Sequence, residues 1–278
     1  MNRVRAKKSL GQHFLKNVSA VRKIVEALDP QSGEAIIEIG PGGGALTEPL
    51  LERCREINCR YIGIEKDKRL VNLLRSELVN GDDGEILGGD ALVELPKLIR
   101  QLTNFLIHYV VVGNIPYYIT GHLLRVIGEL NPRPRRTVLM IQCEVAERIC
   151  GAPPSFALPR RGGPKMNLLA ASVQIWAEPK ILFTLSPRDF SPPPKVESAV
   201  IVLETHAKPL IPRAEEKNYY RFIRTAFKQP RKKLVNNLAE LPERTKTSVL
   251  AKLPVHYHNL RAQDLSINEL VELSRLFR

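Results

Sequence analysis

Four consecutive residues, Asn114-Ile115-Pro116-Tyr117, carry the most legible chemistry of this chain. They follow Tyr109-Val110-Val111-Val112-Gly113, an apolar, β-branched run of the kind that forms a buried strand. The tetrapeptide therefore falls at the strand's carboxyl end, where open α/β sheets place their ligands. Asn114 offers an amide oxygen, Ile115 a carbonyl followed by a proline without an N–H, and Tyr117 a flat π face. Two acceptors and a ring can hold an amino group attached to an aromatic heterocycle, and adenine N6 is such a group. A strand that merely ends in a proline turn is the competing reading.

An upstream motif weighs against that reading. Ala35-Ile36-Ile37-Glu38-Ile39-Gly40-Pro41-Gly42-Gly43-Gly44-Ala45-Leu46-Thr47 runs from an apolar strand through a glycine-rich turn into a helix expected over 46–54. Glycines 40, 42 and 44 permit a tight turn and close approach of a ligand to the backbone. Their spacing is not the Gly-x-Gly-x-x-Gly of dinucleotide binders. Glu38, just before the turn, suits a cationic amino-acid or sulfonium group better than the phosphate that helix N-termini favour. A second strand, Arg60-Tyr61-Ile62-Gly63-Ile64, ends at Glu65, placed to accept from ribose hydroxyls. A third, Glu85-Ile86-Leu87-Gly88-Gly89, ends at Asp90, placed to accept from an adenine amino group. Either acid alone reads as a solvated helix cap. In series with the Asn-x-Pro-Tyr turn they describe an S-adenosylmethionine site facing an amino-group acceptor.

These motifs resemble those of the KsgA-type rRNA adenine N6,N6-dimethyltransferases, and the resemblance runs almost end to end. Lys8-Ser9-Leu10-Gly11-Gln12-His13-Phe14-Leu15 is similar to that family's opening motif. Phe190-Ser191-Pro192-Pro193-Pro194-Lys195-Val196-Glu197-Ser198-Ala199-Val200 is similar to its proline-rich segment. Phe227-Lys228-Gln229-Pro230-Arg231-Lys232-Lys233-Leu234 and Arg261-Ala262-Gln263-Asp264-Leu265-Ser266 are similar to its C-terminal motifs. The resemblance implies a class I S-adenosylmethionine-dependent methyltransferase of Rossmann-like α/β fold over residues 1–205, with a basic N-terminal arm. Residues 206–278 would form a small all-α domain that binds rRNA. It implies cofactor contacts from Gln12, His13, Leu15, Glu38, Gly40, Gly42, Glu65, Lys66, Asp90, Ala91 and Asn114. The target base would meet Asn114, Ile115, Pro116, Tyr117 and Phe190, and RNA phosphates would meet Lys7, Lys8, Arg231, Lys232 and Lys233. The implied substrate is a pair of adjacent adenosines in a hairpin loop near the 3′ end of small-subunit rRNA, dimethylated within a pre-30S particle by a monomer. Departures touch mainly RNA-facing or loop positions. His13 stands where the family more often has Asn, Pro230 replaces the first Arg of Arg-Arg-Lys, residues 151–165 diverge, and the segment 167–172 lacks a Tyr-Gly pair.

The net charge of +13 is unevenly placed. Residues 1–25 carry seven Lys/Arg and no acid, and residues 206–278 carry fifteen against seven, while the remainder is −2. Basic ends on a near-neutral body are the footprint of a nucleic-acid binder. No apolar stretch reaches the roughly 18–20 residues that span a membrane, and the family motif starts within about eight residues of Met1, so neither membrane nor leader is expected and the cytoplasm is the natural compartment. Cys54, Cys59, Cys143 and Cys150 lack Cys-x-x-Cys or Cys/His ligand spacing, so reduced thiols are expected and no metal site.

Strands and helices alternate to about residue 150, the pattern of a doubly wound sheet. Further strands are expected over 137–142, 174–185 and 196–203, the last two as an antiparallel hairpin. A linker over 205–212 and helices over 215–228, 234–241, 245–253 and 267–277 complete the reading. Mechanistically, acceptors at Asn114 and the Ile115 carbonyl would localise the lone pair on the target nitrogen, so catalysis is chiefly positioning and electrostatics. No general base is demanded. The base must be unstacked to enter, with Tyr117 on one face and Phe190 on the other; Phe190 as core is the competing reading. Gly113, Thr120 and Gly121 are small enough to leave room for a first methyl group. Alternatives are the related methylase that modifies a single adenosine in large-subunit rRNA and confers macrolide resistance, a non-catalytic RNA-binding factor on this fold, and a nicotinamide dehydrogenase, which Glu38 disfavours.

Overall fold

Buried β-branched runs set the architecture. The computed structural model describes residues 5–79, 84–103, 108–151, 165–242 and 244–277. Strands β1 (Phe14–Leu15), β2 (Ala35–Ile39), β3 (Arg60–Glu65), β4 (Gly84–Gly88), β5 (Tyr109–Asn114) and β6 (Arg136–Gln142) alternate with helices α1 (Val18–Leu28), α2 (Thr47–Ile57), α3 (Lys68–Glu77), α4 (Ala91–Thr103), α5 (Thr120–Glu129) and α6 (Cys143–Cys150). Then come α7 (Leu168–Gln174), β7 (Ala177–Leu185), β8 (Phe190–Ser191) and β9 (Ser198–Thr205), followed by α8 (Arg213–Ala226), α9 (Leu234–Leu238), α10 (Lys246–Lys252) and α11 (Ile267–Leu276).

Among the described residues the main sheet has seven strands in the order β4-β3-β2-β5-β6-β9-β7. The pairs among β4, β3, β2, β5 and β6 are parallel, and β9 runs antiparallel to β6. Every residue of β2 is buried, as are the first five of β5, as expected for strands covered on both faces. The chain leaves β2 for β3 on one side, while β5 lies on the other. That reversal is the switch point where such sheets open a crevice. A separate ribbon pairs β1 with β8, Phe14 opposite Ser191 and Leu15 opposite Phe190. Two-residue strands carry no periodic signal, so the sequence reading contains neither.

The chain divides into two compact units, Met1–Ala146 with Lys180–Thr205, and Glu147–Pro179 with His206–Arg278. The second unit thus includes 147–179 as well as the residues beyond 205. Within it, α8 buries Tyr219, Phe222 and Ile223, α11 buries Leu270 and Leu273, and the Tyr219 hydroxyl donates to the Ala171 carbonyl at 3.0 Å. Among the described residues no helix is long and apolar enough to cross a membrane.

Three expectations are corrected. The strand expected over 174–185 begins at Ala177, because α7 runs to Gln174 and the Trp176 N–H turns back to the Val173 carbonyl at 3.1 Å. The strand expected from Val196 begins at Ser198, and Val196 is exposed. Cys54 and Cys59 are joined as a disulfide, with Cα atoms 4.5 Å apart. The cause is local: Asn58 takes a left-handed conformation at the end of α2, and the Cys59 N–H returns to the Cys54 carbonyl, folding position i+5 back onto i. Cys143 and Cys150 remain thiols. The divergent loop over 151–165 lies almost wholly outside the described residues.

Candidate active site

The glycine-rich turn after β2 holds its shape through backbone chemistry. Gly40, Gly42 and Gly44 have φ of 68°, 61° and 85°, a region that side chains make costly. Gly40 N–H continues the ladder to the Ile64 carbonyl at 2.9 Å, and Gly44 N–H closes onto the Pro41 carbonyl at 3.0 Å. Gly42 N–H donates to Glu65 at the end of β3, at 3.0 Å. The other Glu65 oxygen accepts from Asp67 N–H at 2.8 Å. Burial raises the pKa of this carboxyl, against the pull of its backbone donors, and the carboxylate keeps acceptor capacity for a ligand hydroxyl.

A cavity of about 90 Å³, open to solvent, lies over the carboxyl ends of β2, β3, β4 and β5. It brings together Gln12, His13, Gly40, Gly42, Glu65, Lys66, Asp90, Ala91, Asn114, Ile115, Pro116 and Tyr117. Asp90 accepts from Lys66 Nζ at 2.7 Å and from Leu92 N–H at 3.0 Å. The lysine bond holds its carboxyl below the usual range. Asn114 Nδ2 donates to the His13 carbonyl at 2.7 Å, which leaves its Oδ1 as the atom able to accept. The Tyr117 hydroxyl shares a 2.7 Å hydrogen bond with Ser198 Oγ, fixing the ring. The His13 and Tyr117 rings lie nearly parallel, 6.2 Å between centroids and 21° apart.

Four sequence-predicted residues stand elsewhere. Glu38 is buried behind the turn, where Tyr61 and Thr47 hydroxyls donate to it at 2.6 and 2.8 Å. It lines a smaller cavity there, not the main one, and burial raises its pKa to about 7 despite those donors. Phe190 is 2% exposed and packs in the main core with Leu15; it does not line the cavity, so in this structure the second stacking face is not its own. Leu15 likewise lies in that core and lines only the smaller cavity. Lys7 is engaged by Asp67, its Nζ 3.1 Å from the carboxylate. Lys8, Arg231, Lys232 and Lys233 are exposed, and Lys233 Nζ donates to Asn259 at 2.7 Å.

Gly113 also has a different reason than room for a methyl group. A Cβ there would lie 2.5 Å from the Ile39 carbonyl of the neighbouring strand. At Gly121 nothing lies within 4 Å of such an atom. Sequence reading passed over Tyr118, which is exposed and lines the cavity, and Ser198, which anchors Tyr117. It also passed over Asp67, which resembles any helix cap when read alone. Among the described residues, no cluster of His, Cys, Asp and Glu is arranged to hold a metal ion.

A buried carboxylate at the end of β3, a partly exposed one after β4, a glycine turn that admits close approach and an apolar floor of Ile39, Ile64 and Ile115 fit a nucleoside with a diol. A Cβ at Gly42 would meet the Phe14 ring at 3.2 Å, so the cradle exists only because that position lacks a side chain.

The sheet order, the antiparallel β9 and this crevice define a class I methyltransferase. The chain belongs to the ribosomal RNA adenine dimethylase family, which matches residues 3–277. It is an S-adenosylmethionine-dependent rRNA adenine dimethyltransferase. The ribosomal RNA small subunit methyltransferase A of Chlorobium chlorochromatii is 36% identical over 275 residues, covering 99% of this chain and 95% of its own. The protein of that name from Fusobacterium nucleatum is 33% identical over 277 residues, 98% and 97% of the two chains. A dimethyladenosine transferase from Plasmodium falciparum superposes with a TM-score of 0.71 at 24% identity, over 94% of this chain and 96% of that one. The 23S rRNA methyltransferase ErmE gives 0.67 at 22%, over 95% and 99%. These two likenesses show the fold.

Proposed function

We propose that this enzyme dimethylates N6 of two neighbouring adenosines in the small-subunit rRNA, acting as a monomer on a pre-30S particle in the cytoplasm. The observation that supports the chemistry best is the placement of Asn114: its amide nitrogen is given to the His13 carbonyl at 2.7 Å, leaving the oxygen to receive an N–H at the cavity. The choice of subunit rests on the names of relatives that align over nearly the whole chain.

When bound, S-adenosylmethionine supplies a methyl group on a positively charged sulfur. Glu65 would receive ribose hydroxyls, and Asp90 with Ala91 would flank the adenine of the cofactor. Asn114 Oδ1 and the Ile115 carbonyl would accept the two N–H groups of the target amine and draw its lone pair out of the ring plane. Tyr117, its hydroxyl held by Ser198, would stack on the target ring, a contact worth roughly 1–3 kcal/mol per base. Burial raises the Tyr117 pKa, so the ring stays neutral. The attacked nitrogen becomes acidic and releases its proton to water without a base. The helices beyond residue 205 and the basic arm would grip phosphates around a hairpin loop, where RNA bases are free to be splayed.

Purified unmethylated small subunits, treated with methyl-labelled cofactor and digested, test the proposal by mass spectrometry. The expected product is N6,N6-dimethyladenosine at two adjacent positions, with monomethyladenosine only transient. A reaction that stops at one methyl group, or label confined to large-subunit rRNA, overturns the choice of substrate.

A further inference from the structure

Residues 10–14 line one side of the cavity, and the segment 7–16 that carries them is fastened at several points. At one end Lys7 Nζ and Gln12 Nε2 both donate to the Asp67 carboxylate, at 3.1 and 3.3 Å, and Lys7 N–H donates to Gln12 Oε1 at 2.7 Å. In the middle, a Cβ at Gly11 would come within 3.4 Å of the Tyr118 ring and 3.6 Å of Pro116. At the far end the His13 carbonyl accepts from Asn114, and Lys16 N–H donates to the Asp189 carbonyl at 2.8 Å.

Asp67 is unusual among the acids near the site. Its side chain is fully buried while its partners Lys7 and Arg69 are both 44% exposed. The Arg69 guanidinium, Lys7 and Gln12 together hold its carboxyl far below the usual range. A buried carboxylate that lost these donors would be left charged and undersatisfied, so the arm is the part that completes its shell. Its nearest chain neighbours, Glu65 and Lys66, line the cavity, whereas Asp67 does not.

We propose that Asp67 is a positioning residue that fastens the N-terminal arm along one side of the cofactor cavity, and that the arm in turn sets the Asn114 amide through the His13 carbonyl. The proposal rests on the cofactor site placed above. Asp67 need touch neither cofactor nor base. It holds Lys7 and Gln12, and these hold the strap. Cofactor bound against the strap is held more tightly while the strap is fastened, so the latch acts on retention. A lifted strap also frees the Asn114 amide to rotate and present nitrogen in place of oxygen to the target amine, two N–H groups facing each other.

Cofactor affinity measured by calorimetry without RNA tests this, on Asp67→Asn, Lys7→Ala, the double variant and Glu65→Ala. Asp67→Asn should weaken binding roughly ten-fold and Lys7→Ala several-fold, the scale of a lost charge-assisted hydrogen bond. The double variant should be no weaker than Asp67→Asn alone, because the two act through one contact. Cofactor should slow tryptic cleavage after Lys8 in the parent chain and not in Asp67→Asn. Because Asp67 also caps α3 by accepting from Arg69 N–H, Lys7→Ala serves if Asp67→Asn fails to fold. Unchanged affinity in Lys7→Ala beside weakened affinity in Glu65→Ala overturns the latch and leaves the site standing. Unchanged affinity in Glu65→Ala as well overturns the placement of the cofactor, and the latch with it. Additive effects of the two latch variants also overturn it.

Discussion

Asn114 shows how far a single residue can be read from sequence. Its position after a buried run and before Ile-Pro-Tyr placed an acceptor at the end of a strand, and the structure adds what fixes its direction, the His13 carbonyl at 2.7 Å. Replacing it with alanine is expected to lower methyl transfer by about 10²–10³-fold, the usual scale for one preorganised hydrogen-bonding group at a reacting centre. Cofactor affinity should stay within a few-fold. Single-turnover rates beside calorimetry decide this; lost cofactor binding with retained transfer would remove Asn114 from the acceptor side. Phe190 was less legible. Hydropathy is the same for a ring that faces a cavity and one that faces the core, and only the pairing of Leu15 with Phe190 reveals that this ring faces inward. Glu38 was only partly legible, for a related reason. The strand's period places it at the turn, but its donors Tyr61 and Thr47 come from β3 and α2, whose faces the sequence does not align.

At the scale of elements, the register between β2 and β5 brings the glycine turn and Asn114 together. Ile39 pairs with Gly113, so the next residues on each strand, Gly40 and Asn114, emerge side by side. The long, apolar strands and the glycine punctuation made this half of the fold readable, because period and turn chemistry both act locally. The β1–β8 ribbon was not readable, because two-residue strands far apart in the chain carry no periodic signal of their pairing. Gly113→Ala tests the register directly. Its Cβ would stand 2.5 Å from the Ile39 carbonyl and 2.8 Å from Ile115 Cδ1, a clash with backbone that no rotamer relieves. The expected cost is about 1–3 kcal/mol, as for overpacked interiors, read as a lowered midpoint in denaturant unfolding. An alanine tolerated without loss would mean that the strands are not held at this register. Gly121→Ala, with open space around it, serves as the control.

For the whole molecule, the charge of +13 concentrated at both ends of the chain was visible at once, since charge is additive and needs no fold. What each cation does was not. Lys7, grouped by composition with the RNA-binding arm, is paired internally with Asp67, whereas Arg231, Lys232 and Lys233 stand exposed. Changing those three to glutamine should weaken binding to the small subunit and reduce the slope of log affinity against log salt by about two, since roughly 0.7–0.9 of a counterion is released per phosphate contact. Cofactor affinity should not move. An unaltered slope would make the cluster an ordinary solvated surface. The β1–β8 ribbon carries a consequence of another kind, in time. Phe14 and Leu15 are synthesised well before their strand partners, Ser191 and Phe190. At about 5–20 residues per second, the nascent chain exposes its arm for on the order of ten seconds or more before that partner exists. The ribbon therefore cannot close until a much later part of the chain arrives, although the arm's other fasteners, Asp67 and Asn114, are made long before it.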